Sequence, residues 1–128
     1  KCTNGQVTMV QVNNLMITPY HPIIDLVNKE KHWIFPISKG SPVNVFCPYM
    51  YSFVTENRKS LIVERHVFAT YGHHCIDQEV IQHDYFGTEK IIDDLKKIPT
   101  YDFGLVQLDQ GNFTREYETK RVNGLRFE

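Results

Sequence analysis

The sequence has few cysteines, no excess of charge of either sign and no long hydrophobic run. Its three cysteines, Cys2, Cys47 and Cys75, lack the close pairing of a zinc ribbon or a disulfide framework, which favours a reducing, cytoplasmic compartment. A formal net charge of -1 offers no positive surface for a nucleic acid, so we expect none as a partner. No apolar run is long enough to span a bilayer, and we expect no membrane partner either.

The first five residues contain neither an initiator methionine nor the apolar core of a signal peptide. We therefore interpret the chain as a fragment of a longer protein. Its 128 residues are enough for one domain that buries roughly two-thirds of the surface of the unfolded chain. A hydrophobic content of 41% with 23% charged residues is typical of a folded domain.

Up to Thr70 the pattern predicts short β-strands. Residues 6–12 and 15–18 alternate apolar and polar side chains on either side of Asn13 and Asn14, which predicts a hairpin. Further strands are predicted where aromatic and β-branched residues cluster, at residues 32–35, 50–55, 61–63 and 67–70. We expect the single Trp33 to anchor the core, and Tyr51 and Phe53 to lie in it.

The character of the sequence changes after Gly72. Thr88 can cap a helix over residues 89–98, because four aliphatic side chains recur there at helical spacing and Pro99 would end it. Residues 103–108 are predicted to form a strand, followed by a polar tail with weak turn signals. The expected fold class is therefore mainly β, with short antiparallel strands, one α-helix near the C-terminus and a short extension.

Two prolines make the segment around Thr18 and His21 a candidate functional site. Both residues precede a proline, which favours extended, turn-like geometry and excludes a helix at this position. An imidazole can donate or accept a proton near neutral pH, and a hydroxyl three residues away can hold a carbonyl oxygen. The alternative is a turn whose polar side chains only satisfy backbone groups.

A second cluster contains His73, His74, Cys75 and His83, which are residue types that bind zinc. Adjacent residues rarely share one tetrahedral site, so we favour hydrogen-bonded or solvated side chains over a metal centre. We expect no metal and no cofactor.

Several motifs occur here in the order in which they occur in a known family. Residues 18–22, Thr-Pro-Tyr-His-Pro, resemble the TxxH signature of the Hint superfamily, the self-processing domains of hedgehog proteins and inteins. The sequence is most similar to the Vint-type Hint domain found beside von Willebrand factor type A modules. Residues 17–23, 33–36, 72–73, 85–88 and 91–95 resemble this family in the same order, and residues 51–55, 60–63 and 67–73 resemble the later Hint motif.

The resemblance implies a horseshoe-like β fold and cysteine-dependent autoprocessing. In Hint domains the first residue, usually cysteine, attacks the carbonyl of the preceding peptide bond and converts an amide into a thioester. Carried over by motif position, His21 would protonate the departing nitrogen, Thr18 would help to place the scissile bond, and His73 would be the late histidine of the family.

The position of the cysteines implies that part of the domain lies outside this chain. Cys2 stands just before the strand that leads to Thr18, so it does not match the family nucleophile, which opens the domain far upstream. We expect residues 1–75 to be the C-terminal part of a Hint-like domain and residues 76–128 to be an extension packed on it as one structural unit. The expected partner is the missing N-terminal half or another protein chain.

The late motif departs from that of splicing domains. After Gly72 and His73 the chain continues without the asparagine that cyclises in inteins, so we expect cleavage at most, no splicing, and no activity in this fragment alone. An alternative function is a structural or interaction module that kept the Hint fold and lost the chemistry.

Overall fold

The computed structural model describes residues 5–25 and 32–127. Cys2 and the predicted polar loop at residues 28–31 lie outside the described residues. The described chain is mainly β, with one α-helix, which confirms the predicted fold class. Its strands and helix are β1 (Gln6–Val12), β2 (Leu15–Ile17), β3 (Ile23–Asp25), β4 (Pro42–Phe46), β5 (Leu61–Val63), β6 (His66–Phe68), α1 (Glu89–Lys96), β7 (Phe113–Arg115) and β8 (Val122–Leu125).

The strands form three small antiparallel sheets, in the orders β2-β1-β4, β3-β6-β5 and β7-β8. Short 3-10 helices occupy Pro36–Ser38, Pro99–Phe103 and Gln110–Asn112. No helix in the described ranges is long and apolar enough to cross a membrane.

The first hydrophobic core lies under one face of the β2-β1-β4 sheet. Opposite residues of an antiparallel pair share a face, so Val10 and Val12 of β1 join Ile17 and Leu15 of β2. All four are nearly inaccessible to solvent and pack with Ile23 of β3. The other face of this sheet is also apolar and is partly open to solvent; it carries Val7, Met9, Met16, Val43 and Val45.

The second core is built by α1 and the β7-β8 hairpin. Thr88 caps the helix by accepting a hydrogen bond from the Lys90 amide. The apolar stripe of α1 is fully buried, and each such side chain contributes about 1.5–3 kcal/mol relative to an exposed position. This core consists of Tyr85, Ile91, Ile92, Leu95 and Val122.

Tyr71 and Gly72 connect the first part of the chain to residues of the second core. Tyr71 stacks on Phe86 with ring centroids 5.0 Å apart, and the Gly72 amide donates to the Phe86 carbonyl at 2.8 Å. These contacts join residues on either side of the boundary that we predict between residues 75 and 76. That boundary stays a prediction.

Several predicted elements are wrong. Residues 32–35 form only an isolated bridge, Ile34 to Ile23, before Pro36 starts a 3-10 turn. Residues 50–55 lie outside the described strands; Phe103 ends the 3-10 helix Pro99–Phe103, and residues 104–108 form a turn and irregular chain. The predicted core residues of these segments are only half-buried or exposed: Trp33 is half-buried, Phe53 is 44% exposed and Tyr51 is 73% exposed.

Candidate functional site

The proline-flanked corner between β2 and β3 is a turn that backbone hydrogen bonds hold to two other segments of the chain. The His21 amide donates to the Thr18 carbonyl at 3.4 Å, which closes the turn. The Pro19 carbonyl accepts from the Ile37 amide at 3.1 Å, and the Pro22 carbonyl accepts from the Ala69 amide at 3.0 Å. Thr18 and His21, both half-buried, are thereby fixed on one rigid turn.

The imidazole of His21 points into the protein and has one nitrogen engaged. Its Nε2 lies 2.7 Å from the Ala69 carbonyl oxygen, which can only accept, so Nε2 carries the proton. In the neutral ring Nδ1 is therefore the nitrogen with a lone pair, and no residue in the described ranges bonds to it. The Phe68 ring packs beside the imidazole, with centroids 5.4 Å apart.

Burial lowers the pKa of His21 below its ordinary value of 6.5, and the bond to the Ala69 carbonyl opposes this effect in part. His21 is consequently neutral at pH 7 and able to accept a proton at Nδ1. Once protonated there, it is a stronger acid than a solvated imidazolium and can pass the proton on.

His73 occupies a different kind of position. Its Nδ1 accepts from the Cys75 amide at 2.9 Å, and the Ile81 backbone hydrogen-bonds the ring in a way that favours its protonated form. The ring also rests against Gly87, where an added Cβ would lie 2.9 Å from His73 Cε1. This geometry gives His73 a structural role in holding the loop before α1, while its catalytic role stays a prediction.

A partly open cavity of about 560 Å³ lies beside His73, and His21 is not among its lining residues. Ala69, the hydrogen-bond partner of His21, borders this cavity, and so does His73. The lining residues are Trp33, Asn57, Arg58, Lys59, Ser60, Ala69, His73, His74, Cys75 and Ile81.

An ion-pair network fixes the wall of this cavity to the start of α1. Arg58 binds the Glu89 carboxylate through two nitrogens, at 3.1 and 3.2 Å, and His74 Nε2 lies 3.6 Å from the same carboxylate. The hydrogen bond from Arg58 lowers the pKa of Glu89 below its usual value. No local sequence pattern predicts this pairing, since Arg58 and Glu89 are far apart along the chain.

The ring of His83 is also hydrogen-bonded to the backbone. Its Nδ1 accepts hydrogen bonds from the amides of Tyr85 and Phe86, at 3.1 and 2.9 Å. Burial, the positive charge of Arg121 and the proximity of His73 lower its pKa to about 4, against a smaller opposing effect of Asp84. His83 is therefore neutral over the physiological range.

The zinc alternative finds no donor set in the described ranges, where no group of three or more His, Cys, Asp or Glu side chains could hold a metal ion. The Nδ1 lone pairs of His73 and His83 are taken by backbone amides. Burial raises the pKa of Cys75, so its thiol stays protonated.

Sequence reasoning missed one buried histidine. His66 in β6 has no solvent exposure; its Nδ1 bonds the Glu64 carbonyl at 2.7 Å, and its Nε2 lies 3.5 Å from the Asn13 amide nitrogen. His66 stands at the end of the polar interruption between the predicted strands at residues 61–63 and 67–70, so no sequence signal predicted its burial.

The chain was compared with known proteins. No curated protein sequence matches it at a significant level. The family model described as Vint, a Hint-domain, matches residues 1–124, which include both hydrophobic cores and the corner that carries Thr18 and His21. Because this match covers nearly the whole chain, the protein belongs to the Vint family of Hint domains.

Proposed function

We propose that this chain is the part of an autoprocessing domain that supplies the proton-transfer histidine, His21, for cleavage of a peptide bond in its parent protein. The observation that carries the proposal is the bond from His21 Nε2 to the Ala69 carbonyl, which leaves Nδ1 as the working nitrogen. Membership of a self-processing family supports the same reaction class.

The reaction is an N-to-S acyl shift that needs a cysteine thiol from the upstream part of the domain. The thiol sulfur bonds to the carbonyl carbon of the preceding peptide bond, and the thiol proton passes to His21 Nδ1. The carbon–nitrogen bond then breaks, and the same proton moves to the departing nitrogen, which leaves as an amine. The Thr18 hydroxyl steadies the carbonyl oxygen while it carries negative charge.

The cysteine would come from the N-terminal half of the domain or from another chain. The partly open apolar face of the β2-β1-β4 sheet supports such a partner, since Met16 is 40% exposed and Val43 is 46% exposed there. Both cysteines in the described ranges, Cys47 and Cys75, are free thiols, which supports the cytoplasmic location that we propose.

The second candidate function is a structural or interaction module. It is favoured by His73, whose Nδ1 is bonded to the backbone and whose ring is packed against Gly87. A domain of this kind would keep the corner and the cavity as architecture and would bind partners through its apolar sheet face.

The test uses the parent polypeptide, extended upstream to its first candidate cysteine. Autoprocessing predicts a cleaved fragment whose appearance hydroxylamine accelerates, because hydroxylamine attacks a thioester far faster than an amide. His21→Gln should slow cleavage about 100-fold or more, since it removes the proton transfer. His83→Asn, which alters a histidine in the loop before α1 and outside the corner, should leave the rate within about twofold.

A parent protein that stays intact under these conditions would contradict autoprocessing and leave the interaction module. Cleavage that survives His21→Gln would place the proton transfer on another residue.

A further inference from the structure

Strand β4 is an edge strand without the usual protection. In the part of the chain that the structure describes, β1 is its only neighbour in the sheet. The sixteen residues from Gly40 to Thr55 carry no charged side chain, and in β4 Val43 is 46% exposed and Phe46 72% exposed. Natural edge strands are usually blunted by charges, which prevent pairing with another strand. Here only Pro42, at the first position, reduces that risk.

The register shows which backbone groups of β4 are free to pair. Val45 lies opposite Val7 and Val43 opposite Met9, and the Cys47 amide continues this ladder by donating to the Gly5 carbonyl at 2.6 Å. Backbone groups of alternate residues in a strand point to opposite edges. The amides and carbonyls of Asn44 and Phe46 therefore face away from β1.

We propose that the protein forms a symmetric dimer in which β4 pairs antiparallel with β4 of a second copy, centred on Asn44. The two Asn44 residues then exchange two backbone hydrogen bonds. At each end the Phe46 amide donates to the Pro42 carbonyl of the other copy; the Phe46 carbonyl receives no bond in return, because proline has no N–H, so the pairing comprises four backbone hydrogen bonds. The two three-stranded sheets become one continuous sheet.

The side chains of β4 suit a second copy of themselves. In this register Val43 of one copy lies opposite Val45 of the other, on the apolar face, and Phe46 lies opposite Pro42. The side-chain oxygen of Asn44 accepts a hydrogen bond from the Thr8 hydroxyl at 2.9 Å, and the side-chain N–H groups of Asn44 can donate across the two-fold axis. No charge is opposed by a like charge, because the strand has none. A contact of this small size belongs to the weak class of interfaces.

The experiment is sedimentation equilibrium of the 128-residue chain at about 10–500 µM and pH 7, where association depends on concentration. Asn44→Asp is the informative variant, because it keeps the oxygen that accepts from Thr8 but places two carboxylates face to face. We expect association at least about tenfold weaker than in the wild type, with partial recovery in 1 M salt.

The matched control is Asn123→Asp. Asn123 accepts from the Thr114 hydroxyl at 2.8 Å across the β7-β8 hairpin, as Asn44 accepts from Thr8, but it lies far from β4 in sequence and in another sheet. This variant should associate like the wild type. Backbone hydrogen exchange adds a local readout. The backbone amides of Asn44 and Phe46 should become more protected as the protein concentration rises, whereas the backbone amide of Val45, which faces β1, is protected at every concentration.

A chain that remains monomeric at every concentration overturns the proposal, and so does a dimer that Asn44→Asp leaves unchanged. Both results are independent of whether the parent protein cleaves itself.

Discussion

Three histidine side chains of this domain are held neutral by their surroundings. Burial lowers the pKa values of His21, His73 and His83, and in each case a backbone group fixes which ring nitrogen carries the proton. The imidazoles of His73 and His83 act as hydrogen-bond acceptors for three backbone amides. Neutral histidine is therefore part of the folded structure, in addition to any role in proton transfer.

Acid should weaken the fold through His83. In the unfolded chain His83 takes up a proton as the pH falls through about 6.5, whereas the folded protein resists until about pH 4. Stability is therefore highest above pH 6.5, declines between about pH 6.5 and pH 4, and the loss is complete below that. Urea unfolding measured across this range should show the decline.

His83→Asn isolates this contribution. An asparagine oxygen can accept from amides two and three residues ahead, so it replaces the Nδ1 acceptor without titrating. The variant should lose less stability on acidification than the wild type. It should not become independent of pH, because His21 and His73 shift in the same direction. An unchanged pH dependence would show that His83 is not the titrating group.

At the scale of the elements, the turn of the β5-β6 hairpin adopts a backbone conformation that its two residues disfavour. Its two turn residues, Glu64 and Arg65, have φ values of 49° and 65°, in the left-handed region that favours glycine and asparagine. The turn persists because Val63 and His66 are paired, and His66 is completely buried and bonds the Glu64 carbonyl. Tertiary contacts thus offset the cost of the turn.

Replacing Glu64 and Arg65 by Asn and Gly should stabilise the protein by about 1 kcal/mol, because both residues then adopt the left-handed region at low cost. The measurement is the midpoint of urea unfolding at pH 7.5. Arg65→Ala is the control, since it removes the side chain but keeps the strain, and it should give no gain. Equal gains in both variants would assign the effect to loss of the arginine.

The sequence predicted some elements far better than others. Helix α1 was predictable because its cap, its apolar spacing and Pro99 all lie within one local segment. The strand at residues 50–55 was predicted from β-propensity and did not form, because a strand needs a partner and propensity supplies none. The β7-β8 hairpin was missed, since its sequence is polar and its pairing depends on packing against α1.

At the scale of the whole molecule, Gly72 is a point where the first part of the chain contacts the second core. It has a φ of +73°, and an added Cβ would overlap Ile92 Cδ1 of the second core. The same residue donates to the Phe86 carbonyl. Close contact between the first part of the chain and α1 therefore depends on the absence of a side chain at this position.

Gly72→Ala should destabilise the protein by about 2–5 kcal/mol, from left-handed strain together with overpacking. Gly104→Ala is the matched control, because Gly104 also has a positive φ, of +88°, but nothing lies within 4 Å of an added Cβ. It should lose about 1–2 kcal/mol from strain alone. Thermal unfolding followed by Trp33 fluorescence and by helical circular dichroism measures both variants, and equal losses would exclude the contact with Ile92.

The sequence by itself determined the family, the mainly β character, the helix and the stiff corner with Thr18 and His21, because these depend on ordered motifs, local spacing and proline geometry. Only the tertiary structure decided which nitrogen of His21 is free, that His73 and His83 bind backbone amides, and that Arg58 joins Glu89. Those features arise from contacts between residues in different segments, and a hydrogen bond between segments leaves no periodic pattern in the sequence.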